Sequence, residues 1–184
     1  EQHDLTCAIL AEVNAHLTER GLLMRQGTVV DATIIAAPSS TKNSEGKRDP
    51  EMHQAKKGNQ WHFGMKMHTG VDADSGLIHS VVCTAANEAD VVHAHELLHG
   101  QESQVHGDSG YTGVEKRDEI TDAQAEGRLR KDIDWRIAMK RGQLQAMSEG
   151  PAKALYEWFE RHKAQVRAIV EHPFHVIKNL FGYR

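Results

Sequence analysis

Two aspartates occupy positions where the sequence itself suggests chemistry. Asp31 interrupts an apolar, β-branched run typical of a central strand, where a carboxylate is costly to bury unless it is paired or binds a metal. Asp108 ends a short predicted strand just before Gly110, at the edge of an α/β sheet where ligands gather. Taken singly, each has a structural alternative: Asp31 as the cap of a strand end, and Asp108 as a turn residue. Together they favour an oxygen-rich site suited to divalent cations.

The surrounding pattern predicts an α/β domain, a mixed sheet with helices on its faces. In chain order the prediction gives an amphipathic helix over 4–20, a strand over 28–35, a hairpin of strands over 61–71 and 77–84, a helix over 90–99, a strand over 104–108, a short helix over 114–121, a strand over 135–139 and a long helix over 151–171. The polar stretch 38–60 is predicted to be a long loop. Pro173 is expected to interrupt the last helix or to begin a new turn.

Three segments resemble the DDE transposases of bacterial insertion sequences, most closely those of the IS-five type. They are GTVVDAT at 27–33, WHFGMKMH at 61–68 and HGDSGYTG at 106–113. The resemblance implies an RNase H-like mixed sheet with helices on both faces, like the catalytic core of retroviral integrases, over residues 27–184. A linker helix would occupy residues 1–26. In such a sheet the strands of Asp31 and Asp108 lie side by side and run parallel.

The last helix also fits the tyrosine-arginine-glutamate-lysine signature of a larger group of these enzymes. Arg167, Glu171 and Lys178 match its spacing, whereas Ala164 stands where the tyrosine would be. On a continuous helix the three matching residues would share a face. The resemblance implies that Glu171 completes the metal site and that the two cations hold phosphates. A solvated helix carboxylate is the alternative for Glu171.

The resemblance implies a definite reaction and definite partners. Asp31, Asp108 and Glu171 would hold two Mg²⁺ ions, with Mn²⁺ as a substitute, for hydrolysis at the element's ends. The freed 3′-hydroxyl would then attack target DNA. The partners would be terminal inverted repeats, target DNA and a second copy of the full-length protein. Because the chain begins at Glu1, we expect a fragment that lacks an N-terminal DNA-binding part and the C-terminal end.

The resemblance implies a DNA-binding enzyme of the bacterial cytoplasm, associated with the nucleoid. The net charge is −4, but residues 135–184 carry nine basic and four acidic side chains, which suits a polyanion. Lys66, Lys56 and Lys57 are further candidates for DNA contacts; solvated surface lysines are the alternative. No apolar run approaches the length of a membrane helix, and no signal peptide opens the chain.

Several other residues are expected in the interior rather than in a site. Trp61, Trp135 and Trp158 could stack on an unpaired base, but core packing is the favoured interpretation. Cys7 and Cys83 form no disulfide framework, and we expect both to be buried or inert in a reducing compartment.

A rival motif is the string His95-Glu96-Leu-Leu-His99. On a helix its two histidines would bind Zn²⁺ with Glu96 as the base, as in a zinc metallohydrolase. The longer metzincin motif fails, because Glu102 and Val105 stand in place of its glycine and third histidine. Glu119 lies at the distance of a third ligand but has no supporting motif around it. A further alternative is an inactive transposase remnant that binds DNA weakly.

Overall fold

The computed structural model describes residues 5–23, 26–38, 41 and 46–183. Within these ranges, six strands form a single mixed sheet. They are β1 (Gly27–Ala36), β2 (His53–Lys57), β3 (Gln60–Asp72), β4 (Ile78–Ala85), β5 (Gln104–Gly107) and β6 (Asp134–Ile137). The predicted strands are all present, and β2 is an addition inside the stretch that was predicted to be a loop.

Helices of three kinds connect and cover the strands. The α-helices are α1 (Leu5–Glu19), α2 (Asp118–Ala125), α3 (Arg141–Gln145), α4 (Pro151–Arg167) and α5 (Glu171–His175). Short 3₁₀ helices span Asp90–Leu97, Ser109–Tyr111, Val114–Lys116 and Ala168–Val170, and a π-helix spans Val176–Leu180. None of the described helices is both long and apolar enough to cross a membrane.

The order of the strands explains why β1 is so apolar. β1 pairs antiparallel with β3 on one side and parallel with β5 on the other, and β6 continues the parallel part. The far edge of β3 carries two partners, β2 along residues 60–64 and β4 along residues 65–71. Because β1 lies in the middle of the sheet, Thr28, Val29 and Val30 are buried. The α/β prediction, with its RNase H-like mixed sheet, is confirmed.

Helices pack against both faces of the sheet, and successive residues of β1 contribute to different faces. On one face Val30 packs with Leu97 and Tyr111 in the larger hydrophobic core. On the other face Val29 packs with Val170 and Phe174 of the last helical segment. Side chains two residues apart on a strand share a face, so Asp31 faces the same side as Val29, toward that segment.

The N-terminal helix α1 confirms the predicted helix, and its apolar side chains lie at the surface. Leu5, Ile9 and Val13 are exposed, and no residue of the helix is fully buried. The Asn14 side-chain amide donates a hydrogen bond to the carbonyl of His79 in the sheet, at 2.7 Å. Periodicity predicts a helix, but it does not say what covers the apolar side.

Candidate active site

A polar cleft of about 670 Å³ lies where β1 and β5 meet the last helical segment. It is lined by Asp31, Ala32, Thr33, Lys57, Asp108, Glu171, His172, Phe174, His175, Lys178 and Asn179. The three carboxylates selected from the sequence therefore face one cleft, together with two of the predicted cations. Ligand sites of α/β proteins gather at such strand ends.

The register of the parallel pair places Asp31 beside Asp108. Val29 of β1 is the partner of His106 in β5, and each aspartate follows two residues later in its own chain segment. β5 ends at Gly107, so Asp108 is the first residue after the strand. The predicted adjacency of these two strands, and their parallel direction, are confirmed.

Asp108 serves a turn as well as the cleft. One of its carboxylate oxygens, Oδ1, accepts a hydrogen bond from the Gly110 amide at 2.7 Å, and its carbonyl accepts one from the Tyr111 amide at 3.1 Å. The turn interpretation of Asp108 is therefore correct locally. The hydrogen bond from Gly110 also fixes the direction of the Asp108 side chain, whose carboxylate lines the cleft.

Asp31 is a carboxylate with too little positive charge around it. Burial raises its pKa to about 6, although the hydrogen bond from the Ala32 amide to Oδ1, at 2.7 Å, lowers it. The negative charge of Asp108 raises the pKa as well, and Arg167 lowers it. A bound cation would stabilise the charged form of such a group, which is the chemistry expected of a metal ligand.

The last helical segment changes its type around Pro173 without breaking. α4 ends at Arg167, a 3₁₀ turn covers Ala168–Val170, α5 begins at Glu171, and a π-helix follows. Proline has no N–H to donate to the carbonyl four residues earlier, and its ring crowds that carbonyl, so the helix tightens just before it. The predicted interruption is thus a local change of winding.

This change of winding keeps Glu171 and Lys178 on the cleft. Both line it, whereas Arg167 lies outside the lining and acts on Asp31 through its charge. The cleft also contains His172, His175 and Asn179, which the sequence analysis did not select. Positions 171, 175 and 178 lie on one side of a helix, so helical spacing from Glu171 could have found His175.

Lys57 and Lys178 approach the cleft from different elements. The pKa of Lys178 is lowered, first by burial and then by the positive charge of Lys57, while Glu171 raises it. Lys57 belongs to the edge strand β2, so the prediction of a loop throughout 38–60 is wrong for residues 53–57. The reversal at Gly58, with φ of +60°, returns the chain into β3.

Comparison with known protein families agrees with this arrangement. The model of the transposase DDE domain family matches residues 23–184. The chain belongs to this family. No solved structure matches it.

The DDE domain presents the right donor atoms for Mg²⁺ but does not hold them around one point. Carboxylate oxygens are the ligands that Mg²⁺ prefers. In the described parts of the chain, no three His, Cys, Asp or Glu side chains lie close enough together to bind one ion. Asp31 and Asp108 come from the sheet and Glu171 from the helix. The distance between the helix and the sheet therefore determines whether the three carboxylates can bind the same ions.

Lys66 of the DDE domain lies away from the cleft. Its ammonium group forms an ion pair with Asp90 at 2.8 Å and donates a hydrogen bond to the carbonyl of Glu88 at 2.5 Å. Its side chain is only 15% exposed. Lys66 therefore has a protein partner in the structure, and its contact with a DNA phosphate stays a prediction.

The histidine motif does not have the geometry of a zinc peptidase. Residues 90–97 form a 3₁₀ helix, which has three residues per turn, and His99 lies beyond its end. His95 contacts the carbonyl of Val92, and His99 contacts the buried Glu102. The predicted α-helix, on which both histidines would face one ion, is therefore wrong here.

The predicted burial of the tryptophans and cysteines was mostly wrong. Trp61 is 67% exposed and Trp158 is 55% exposed, whereas Trp135 packs against the core as expected. Cys7 and Cys83 are both free and exposed. Trp61 lies on the outer part of β3 that pairs only with β2, and hydrophobicity alone does not reveal such an edge position.

Proposed function

We propose that this transposase DDE domain cleaves DNA at the ends of an insertion sequence and joins the freed 3′-hydroxyl to target DNA. The observation that carries the proposal is that Asp31, within β1, and Asp108, just after the neighbouring strand β5, line one cleft with Glu171. Two lysines border the same cleft, which suits a substrate made of phosphates. The match of the family model supports transposase catalysis in general.

In this proposal Asp31, Asp108 and Glu171 hold two Mg²⁺ ions, for which Mn²⁺ substitutes. When bound, such ions activate water and stabilise the leaving oxygen of a phosphodiester. The turn at Gly110 holds Asp108 in place, and Asp31 supplies a carboxylate whose negative charge the protein itself compensates poorly. Lys57 and Lys178 bind phosphates on either side of the scissile bond, and the positive charge of Arg167 stabilises the ionised form of Asp31.

The proposed partners are the terminal inverted repeats, the target DNA and a second copy of the full-length protein. The IS-five type is proposed from the three motifs, with residues 1–26 as a linker helix and 27–184 as the catalytic domain. A DNA-binding part outside these residues would select the ends. The enzyme would act in the bacterial cytoplasm, on the nucleoid.

The proposal is tested by incubating the full-length protein with DNA that carries the terminal inverted repeats of its own element. Mg²⁺ or Mn²⁺ is expected to produce single-strand nicks at the ends, and a chelator is expected to abolish them. A duplex of scrambled end sequence is the control for specificity. Binding of the ends without nicking in either metal would instead identify an inactive remnant and would contradict the proposal.

The strand β2 offers a matched pair of lysines for testing the phosphate contacts. Neighbouring residues on a strand point to opposite faces, and Lys57 faces the cleft whereas Lys56 lies opposite the exposed Trp61. We expect Lys57→Ala to weaken DNA binding about 10-fold at low salt, because one phosphate contact is lost. The slope of log affinity against log salt concentration should decrease in magnitude by about 1, the amount expected when one phosphate contact is lost.

Lys56→Ala is the control for this prediction. It removes the same charge from the adjacent position, so any effect of net charge alone would be equal in the two variants. Both are measured by fluorescence anisotropy with the same end duplex over a series of salt concentrations. Equal losses of DNA affinity in the two variants would show that Lys57 makes no phosphate contact beyond the general effect of its charge.

A further inference from the structure

Trp61 is a tryptophan that the fold leaves at the surface. Its side chain is 67% exposed, so packing in the core does not account for an indole at this position. Among the described residues, no other ring stacks on it. Trp158 is also exposed, but its ring lies parallel to that of His162, with the two centroids 5.9 Å apart. A large aromatic side chain with an uncovered face is typical of a binding surface.

A second cleft, which we call the tryptophan cleft, lies beside Trp61. Its volume is about 580 Å³, and the described residues that line it are different from those of the active-site cleft. Phe63 is part of its wall and carries the guanidinium group of Arg48 over its ring, 5.6 Å from the centroid. The wall also contains side chains of the types that hydrogen-bond to the edges of bases, namely Asp49, Gln54 and Asn87.

The charge of this part of the chain favours a nucleic acid as the partner. Residues 46–63 carry four basic and two acidic side chains, whereas the whole chain has a net charge of −4. Exposed aromatic rings among cations are the combination by which proteins bind single strands, because the cations attract phosphates and the rings stack on bases. A base inside a duplex is already stacked between its neighbours, so an indole on the protein surface stacks on an unpaired base.

The hairpin of β2 and β3 connects the tryptophan cleft to the active site. Lys57 lines the active-site cleft, and the preceding residue, Lys56, is the register partner of Trp61. Register partners in an antiparallel pair have Cα atoms roughly 5 Å apart. Stacked nucleotides of one DNA strand advance by about 3.4 Å each. A strand with a phosphate at Lys57 therefore reaches Trp61 within a few nucleotides.

We infer that Trp61 stacks on one unpaired base of the DNA strand that leaves the active-site cleft, and that the tryptophan cleft accommodates this base. The inference rests on the proposed function, since it takes DNA as the substrate of the neighbouring cleft. Trp61 supplies the aromatic face, and the guanidinium group of Arg48 supplies positive charge for an adjoining phosphate. Every base has a π-face, so this contact selects unpaired DNA rather than one sequence.

The test measures binding of an oligothymidine of about ten nucleotides by fluorescence anisotropy, in a chelator and without any terminal-repeat sequence. Trp61→Ala is expected to raise the dissociation constant about 10-fold, because stacking on one base is lost. Trp61→Tyr keeps an aromatic face and should stay within about threefold of the wild type. Trp158→Ala is the matched control: it removes an exposed tryptophan that is already stacked, and it should leave the affinity unchanged.

A second substrate shows whether the contact needs an unpaired base. Trp61→Ala should bind a fully paired end duplex as tightly as the wild type does, and its melting temperature should equal that of the wild type. Adding the oligothymidine should quench the tryptophan fluorescence of the wild type and of Trp158→Phe. The quenching should be much smaller in Trp61→Phe, because the indole that stacks on the base is absent.

The outcomes separate this inference from the proposed function. Unchanged oligothymidine binding in Trp61→Ala, or an equal loss on the paired duplex, would overturn the stacking and leave the metal-dependent chemistry standing. No nicking by the wild type, with the loss in Trp61→Ala still present, would overturn the proposed chemistry and leave the site for an unpaired base. If Trp61→Ala instead converted a dimer to a monomer without DNA, measured by light scattering, the surface would belong to a second copy and the inference would be wrong.

Discussion

Asp108→Asn is expected to reduce metal-dependent nicking of the element's ends by at least about 10³-fold, which corresponds to about 4 kcal/mol of transition-state stabilisation. The asparagine oxygen can still accept the hydrogen bond from Gly110, so the turn should keep its shape. What the substitution removes is the negative charge that a divalent ion needs. The measurement is the single-turnover nicking rate in Mg²⁺, together with a circular dichroism spectrum that should be unchanged.

Glu96→Gln is the matched control for this prediction. It removes one carboxylate from the histidine motif, where a zinc hydrolase would have its base, and Glu96 is exposed outside the cleft. Nicking by Glu96→Gln should stay within about twofold of the wild type, since surface substitutions rarely disturb the fold. Full activity in Asp108→Asn with lost activity in Glu96→Gln would reverse the two interpretations of this chain.

Much of this arrangement was predictable because β1 and the turn after β5 carry strong local signals. A carboxylate inside a β-branched run and an aspartate before Gly110 are both visible in the sequence. Their meeting depends on the parallel pairing of β1 and β5, which only the resemblance supplied. Local pattern thus identified Asp31 and Asp108, and topology brought them together.

The helix around Glu171 shows where sequence reasoning was least secure. Spacing to Arg167 and Lys178 placed Glu171 in the site, although Pro173 predicted a disturbed helix. The structure accommodates the proline by a 3₁₀ turn before it and a π-helix after it. Glu171 and Lys178 still line the cleft. A helical wheel assumes regular winding and does not include such changes. The sequence therefore could not predict that Arg167 lies outside the lining of the cleft.

The errors concern partners that lie far apart in the sequence. The strand β2 consists largely of charged and polar residues, and it forms because β3 extends past β4 and offers a free edge. Trp61 lies in the part of β3 that extends past β1 and pairs only with β2, and it is exposed there. Each error reflects a tertiary contact that overrides local propensity.

Asp31→Asn is expected to make the metal-free protein more stable at pH 7.5 while abolishing its activity. The pKa of Asp31 is raised from 3.8 to about 6 in the folded protein, so the fold favours the protonated acid. Its contribution to stability is therefore full below about pH 4 and is lost as the pH rises past about 6. Because asparagine stays neutral, it should gain up to about 3 kcal/mol of unfolding free energy at pH 7.5.

Urea unfolding in a chelator at pH 4, 5, 6 and 7.5 measures this difference directly. The gain should be largest at pH 7.5 and should vanish near pH 4, where Asp31 is itself neutral. Asp74→Asn, at an exposed turn, is the control for the general effect of one charge less and should show no such pH dependence.

Adding Mn²⁺ should reverse the order of stability. An ion at 100 times its dissociation constant stabilises the protein that binds it by about 2.7 kcal/mol, and only the wild type keeps the charged ligand. A variant that is less stable than the wild type in chelator at pH 7.5 would contradict the prediction, as would a gain that persists at pH 4. Either result would mean that the charge of Asp31 is already compensated by the protein, and that this carboxylate does not need an ion.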